Sequence, residues 1–138
     1  ASRFMKGGSM RGGPWLKTLL CKLGSFSLYL LSSTPARDAS NAFRLFSRRV
    51  LDTVLIESSE GFTFSLELLV KCTRLKWKID QVPAKWLERE KGKSRFKVMK
   101  WLPYYLRWYL YGLGTTWLRK GPETVRLKKR DSLITTKS

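Results

Sequence analysis

Two periods of apolar residues run along this chain, and the helical one dominates. From Trp15 to Leu31 the only charges are Lys17 and Lys22. Trp15, Leu19, Lys22 and Phe26 share one stripe, and Leu16, Leu20, Leu23 and Leu30 widen the apolar surface. With Pro14 suited to a first helical turn, this pattern predicts a helix over residues 14–31. The run is too short and interrupted for a membrane span, so a buried helix or one lying on a membrane surface is expected. Phe64, Leu68, Cys72 and Leu75 predict a second long helix over 62–75 that carries Glu67, and a shorter helix is expected over 48–56. Residues 42–46 are a candidate strand. Alternation predicts another strand over 77–82, ended by Pro83, which has no N–H for a ladder. Residues 1–13, rich in glycine and cations, and residues 32–40 read as loops, and 57–61 as a turn.

Residues 96–118 are dominated by Trp101, Leu102, Tyr104, Tyr105, Leu106, Trp108, Tyr109, Leu110, Tyr111 and Trp117. Arg107 is the one charge between Trp101 and Leu118, and Pro103, Gly112 and Gly114 are expected to interrupt the run. Trp and Tyr pair an apolar ring with a polar atom and settle where hydrocarbon meets water. An interfacial or re-entrant segment is the first reading, and a packed core helix the second. From Arg119 onward the chain is polar, includes Lys128, Lys129 and Arg130, and reads as a loosely ordered basic tail.

Composition narrows the chemistry. With 43% apolar and 13% aromatic residues in 138, the chain can bury a core as one domain or a piece of one. Lys and Arg number 28 against 10 Asp and Glu, a net charge of +18 that predicts an anionic partner. There is no histidine, and Cys21 and Cys72 have no metal-ligand spacing, so zinc sites and Ser-His-Asp or Cys-His catalysis are excluded for this chain. Two free thiols in a reducing compartment are expected. The chain begins without Met and without a signal-peptide pattern, as the inside of a larger protein would.

Three segments could carry chemistry. Lys17 and Cys21, four apart, share a helix face that Arg3 could approach from the preceding loop, making a phosphate site; alternatively the lysines only snorkel. Asp38, in the segment 35–44, stands where a loop enters a strand and could face a cleft, or simply cap a turn. After Pro83, the cations Arg89, Lys91, Lys93 and Arg95 gather around Gly92 and Ser94, as a phosphate-closing loop or a solvated basic turn would have them.

Together these segments resemble the polyprenyl-phosphate glycosyltransferases of the family-two, GT-A-fold type. Ala-Ser-Arg-Phe-Met-Lys-Gly-Gly at the start is similar to that family's Ser-Arg-Tyr-x-x-Gly-Gly, and residues 14–31 look like its first interface helix. Asp-Ala-Ser-Asn-Ala-Phe-Arg-Leu-Phe over 38–46 resembles Asp-x-x-Ser-Gly-Phe-Arg-Leu-Tyr. Residues 61–69 resemble Gly-Phe-x-Phe-x-x-Glu-Leu-Leu, and 82–95 resemble Val-Pro, five residues, then Arg-x-x-Gly-x-Ser-Lys.

The resemblance implies an α/β fold: the C-terminal half of a GT-A-type domain over residues 1–118, with amphipathic interfacial helices near 14–31 and 96–118. It implies inverting transfer of a hexose, mannose or glucose, from a nucleotide diphosphate sugar to a polyprenyl, dolichyl-type phosphate. By position, Arg3, Lys17 and Cys21 would bind the acceptor phosphate. Asp38 and Arg89 would be the catalytic residues, and Arg89, Lys93, Ser94 and Arg95 would form the diphosphate loop. Lys at 17 keeps the charge of the family's usual Arg but loses its bidentate fork, and the Cys21 thiol is a poorer donor than the usual hydroxyl. Asp occurs only at 38, 52, 80 and 131, so the family's Asp-x-Asp metal site is lacking. A Mg or Mn ion is expected for a full-length enzyme and none for this chain alone, which would be an inactive fragment. The expected partners are the polyprenyl phosphate, a membrane surface and an anchoring subunit, at the cytoplasmic face of an endoplasmic reticulum or prokaryotic plasma membrane. The competing readings are a non-enzymatic basic membrane-surface protein and an RNA binder. The concentration of aromatics in one run disfavours RNA.

Overall fold

The structure, a computed structural model, describes residues 1–12, 15–87 and 98–128. The expected loop bearing Arg89, Lys93, Ser94 and Arg95 lies outside the described residues, as do Pro14 and residues 129–138. In chain order come strand β1 (Ser9–Arg11) and helices α1 (Trp15–Leu31), α2 (Arg48–Thr53) and α3 (Thr63–Arg74). Strand β2 (Lys85–Leu87), helix α4 (Val98–Trp117) and a short 3-10 helix (Pro122–Thr124) follow. This mixture of helices with a small sheet is compatible with an α/β fold.

The helix α3 is the centre of the body. Leu66, Leu69 and Val70 join Leu28, Ala36, Ala39 and Trp108 in one buried cluster. Leu68 and Cys72, on its other side, join Val50, Val54 and Val125 in a second. Apolar positions on both flanks bury a helix on both flanks. Gly112 allows α4 to come close: a Cβ there would lie 3.1 Å from Leu28 and 3.4 Å from Val70. Polar locks hold the packed helices. Arg74 Nη2 donates to the Ser32 carbonyl at 2.6 Å and to Thr116 Oγ1 at 2.7 Å, and Tyr109 Oη shares a 2.7 Å bond with Ser27 Oγ.

The long aromatic run is therefore one helix, unbroken at Gly112 and Gly114. Tyr105, Trp108, Tyr109, Tyr111 and Leu113 face the core, while Leu102, Tyr104, Leu106 and Leu110 are exposed. Pro103 sits in its second turn, where its missing N–H removes one backbone bond near the start of the helix. Among the described residues no helix is long and apolar enough to cross a membrane.

Five local expectations need correction. The glycine-rich start is not only loop: β1 pairs in parallel with β2, in the register Ser9 to Lys85 and Arg11 to Leu87. Pro83 does not end pairing but opens it. The Ser2 N–H donates to the Val82 carbonyl at 2.8 Å and the Ala84 N–H to the Ser2 carbonyl at 2.9 Å, so the proline's missing N–H is never required. Residues 77–82, expected as a strand, run without regular pairing. Residues 42–46 form no strand either, and among the described residues no strand pairs with them; Phe43 is 82% exposed and Leu45 101%. The start of the expected tail also folds back. The Leu55 N–H donates to the Arg126 carbonyl at 3.0 Å, the Lys128 N–H donates to the Thr53 carbonyl at 2.9 Å, and Val125 is buried.

Candidate functional site

Close backbone packing at the first residues aims Arg3. A Cβ on Gly8 would lie 2.6 Å from the Ser2 carbonyl oxygen and 2.8 Å from that of Arg3, so only glycine lets the 2–8 turn close this tightly. The turn is held from outside by the bonds of Ser2 to Val82 and Ala84. Arg3 then points inward rather than to solvent. Its Nε donates to Asp38 Oδ2 at 2.7 Å, its Nη2 to Asp38 Oδ1 at 2.9 Å and to Ser40 Oγ at 2.8 Å, and its backbone N–H to Asp38 Oδ2 at 2.9 Å. Asp38 is buried, with its side chain fully covered.

The pair is a forked, charge-assisted contact. Burial alone would push the Asp38 carboxyl up, but the bonds from Arg3, its charge and Ser40 Oγ more than offset that and leave it below its usual range. Burial works against Arg3 as well. The bond and charge of Asp38, followed by the nearby Cys21 thiol, raise it overall. Both groups are thus ionised throughout the physiological range. The Ser40 N–H bonds to Ser25 Oγ at 3.3 Å, tying the cluster to the inner face of α1.

Arg44 supports the same loop from the other side. Its Nη2 donates to the carbonyls of Asp38 at 2.9 Å and Ala39 at 2.8 Å, and its Nε to that of Asn41 at 2.8 Å. Burial pulls its guanidinium down to about 10, still protonated at neutral pH. The loop that presents Asp38 is therefore clamped by two arginines, one on its carboxylate and one on its backbone.

Of the residues expected from sequence, Arg3 and Asp38 are brought together by the fold. Cys21 is near enough to act on Arg3 and on Tyr105, whose phenol is raised by burial first and by Cys21 second. Lys17 lies one turn before Cys21, half-buried, with its Nζ 5.2 Å from the Trp86 ring of β2. Trp86 thus joins the site through β1–β2 pairing. Arg89, Lys93, Ser94 and Arg95 follow that strand in sequence and lie outside the described residues. Sequence reasoning passed over Ser25, Ser40, Arg44 and Trp86. Ser40 stands two residues after Asp38 and could have been found there. Ser25 could have been found as a polar residue on the Cys21 face of α1. Nothing local marks Trp86 or Arg44.

The Arg3–Asp38–Ser40 cluster does not fit a divalent ion. Among the described residues no group of three His, Cys, Asp or Glu side chains is placed to hold one, and both oxygens of Asp38 are already engaged by Arg3. What the cluster can do is present positive charge. Lys17 and the Nη1 edge of Arg3, which among the described residues donates to Met10 Sδ at 3.7 Å, flank the Cys21 face of α1.

No family model matches the chain, and no solved structure matches it. The chain is similar to the polyprenol monophosphomannose synthase of Mycolicibacterium smegmatis, 27% identical over 112 residues that cover 72% of this chain. The chain spans 42% of that relative's length. This partial match supports a relationship of the polyprenyl-phosphate glycosyltransferase kind.

Proposed function

We propose that this chain supplies the acceptor-binding part of an inverting hexosyltransferase that moves mannose or glucose from a nucleotide diphosphate sugar to a polyprenyl phosphate at a membrane surface. The observation that carries this reading is the convergence of Arg3, Asp38 and Ser40 beside the Lys17–Cys21 face of α1, directly under a helix whose outer side is apolar. The partial match to a polyprenol monophosphomannose synthase supports it independently.

The chemistry asks for cations, not for a base. A phosphate monoester has a second pKa of about 6, so the acceptor is largely dianionic at neutral pH and needs no histidine to activate it. One acceptor oxygen attacks the anomeric carbon as the bond from that carbon to the diphosphate oxygen breaks. The diphosphate leaves with the bonding pair, and the configuration inverts. In this chain Lys17 and the Nη1 edge of Arg3 hold the acceptor phosphate. Asp38 is the anchor that fixes Arg3 in direction, with Cys21 alongside. Arg89, with Lys93, Ser94 and Arg95, would meet the departing diphosphate, and fixed cations there gain strength as water is excluded. A Mg or Mn ion would be held by residues outside the Arg3–Asp38–Ser40 cluster. The segment 42–46, with Phe43 and Leu45 bare, suits coverage by a further layer carrying the donor site. The outer face of α1 would rest on the membrane, at its cytoplasmic side, where a membrane-anchoring subunit could also sit.

Titration of the detergent-solubilised chain with farnesyl phosphate and with farnesol tests the acceptor half of this reading. The phosphate is expected to bind more tightly than the alcohol, and Lys17→Ala to weaken the phosphate alone, by roughly tenfold for one charge-assisted contact. Equal affinity of the wild type for the two ligands would sink the reading.

A further inference from the structure

Charge is distributed unevenly along this chain. No Asp or Glu precedes Asp38, whereas the same stretch holds Arg3, Lys6, Arg11, Lys17, Lys22 and Arg37. Lys22 and Arg37 border an open groove of about 530 Å³ whose other lining residues are Phe4, Leu23, Phe26 and Tyr29. Lys22, Phe26 and Tyr29 stand at i, i+4 and i+7 of α1 and so form one wall. Arg37 is fixed opposite. Its backbone N–H donates to Gln81 Oε1 at 2.9 Å, Gln81 Nε2 donates to the Pro35 carbonyl at 2.8 Å, and its guanidinium lies 5.7 Å from the centre of the Tyr29 ring. Among the described residues neither Lys22 nor Arg37 is paired with a carboxylate.

Two cations on the rim of an apolar groove describe an amphiphile with an anionic head. The groove opens onto the exposed outer face of α1, where Trp15, Leu19, Leu23, Phe26 and Leu30 present hydrocarbon. A soluble phosphate would leave that lining wet, whereas a lipid would cover it with its own hydrocarbon. We infer that the groove is a docking site for an anionic bilayer phospholipid, its phosphodiester at Lys22 and Arg37 and its chain along Leu23 and Phe26. The cations of the groove differ from that of the acceptor site: Lys22 is exposed on α1, whereas Lys17 is half-buried beside the Trp86 ring. The inference rests on the membrane-surface reading of α1 given above. Occupancy would fix the roll of α1 about its axis, so that the Lys17–Cys21 face is presented at the level of the lipid headgroups.

Flotation with phosphatidylcholine vesicles, with and without phosphatidylglycerol, tests it. The wild type is expected to prefer the anionic vesicles. Lys22→Ala with Arg37→Ala should reduce that binding by roughly tenfold to thirtyfold, since each cation near an anionic surface contributes appreciably. Arg48→Ala with Lys78→Ala removes the same formal charge from exposed positions elsewhere and should change it less than about threefold. Phe26→Ser should weaken binding to both kinds of vesicle. Excess glycerol phosphate or polyuridylate should not release the protein, and release by either would overturn the inference in favour of a free phosphate or an RNA. Equal losses in the two double variants would overturn it as well. A wild type without preference for anionic vesicles would overturn it together with the membrane-surface reading. A preference that survives Lys22→Ala with Arg37→Ala would remove the groove alone. Farnesyl phosphate binding reports on the Lys17 site separately from all of these.

Discussion

The helices α1 and α3 invert the usual relation between composition and burial. α3 reads Thr-Phe-Ser-Leu-Glu-Leu-Leu-Val-Lys-Cys-Thr-Arg, and Glu67 and Lys71 are among its buried residues. α1 is far more apolar, yet only Ser25 and Leu28 are buried in it, and Trp15 is 76% exposed. The difference lies in partners. Lys71 Nζ donates to Glu67 Oε1 at 2.6 Å, to Glu57 Oε2 at 2.8 Å and to the Leu55 carbonyl at 2.6 Å, and lies 4.9 Å from the centre of the Trp108 ring. Glu67 in turn accepts the N–H groups of Glu57 and Ser58 at 2.7 and 2.8 Å. A charge so fully satisfied can be buried, whereas a helix with apolar residues on most sides but a body on only one must leave the rest outside. An exposed apolar face of this extent marks a contact surface.

Breaking α3 should have the largest effect. Lys71→Ala leaves Glu67 buried without its counter-charge, and a loss of about 3–5 kcal/mol is expected in urea unfolding, enough to consume much of a small domain's stability. If the loss stays below about 1 kcal/mol, the network is not what permits α3 to be the core. Asp38→Asn should cost somewhat less, about 2–4 kcal/mol at neutral pH, because Asn keeps some bonds to Arg3 while losing the charge. The Asp38 carboxyl is depressed by folding, so its contribution is complete above its unfolded value near 4 and is lost as pH falls through the lower folded value. Melting curves of the wild type and Asp38→Asn should therefore converge below about pH 4.

The seam between the two helices ranks next. Gly112→Leu inserts a side chain where a Cβ already meets Leu28 of α1 and Val70 of α3, and about 1–3 kcal/mol should be lost in the same assay. The outer face of α1 should matter least to folding. Leu19→Ser, Leu23→Ser and Phe26→Ser are each expected to change stability by about 0.5 kcal/mol or less. Combined, they should nonetheless abolish most vesicle binding, because each large apolar side chain contributes roughly 1.5–3 kcal/mol when fully taken from water. Large destabilisation by that triple change would mean α1 is covered by its own chain, and the contrast would vanish.

Local pattern carried the helices well. Spacing over 62–75 and 14–31 foretells α3 and α1 to within a residue, because apolar residues at a period of 3.6 report directly on a helical face. The sheet was illegible because β1 and β2 lie far apart in the chain, and each is too short to display alternation. The aromatic run of α4 gave its amphiphilic character but not its partners. Trp108 is 4% exposed because its Nε1 finds Ser58 Oγ at 2.7 Å, a contact between distant segments. Arg3 and Asp38 were each marked by type and position, but their union was not, since nothing in a one-dimensional spacing says that an acid will neutralise a cation from another loop.

The sequence by itself determined the helices, the excess of positive charge, the exclusion of histidine chemistry and the segments that resemble a known transferase family. These follow from residue type and local periodicity, which act over one or two turns of chain. Only the tertiary structure decided which helix is the core, that Arg3 is committed to Asp38 while Lys17 meets Trp86, and that Lys22 and Arg37 share a groove. Burial and ion pairing depend on which surfaces meet once the chain has closed on itself. In this chain those meetings turn on the tight Ser2–Gly8 turn and the close approach at Gly112.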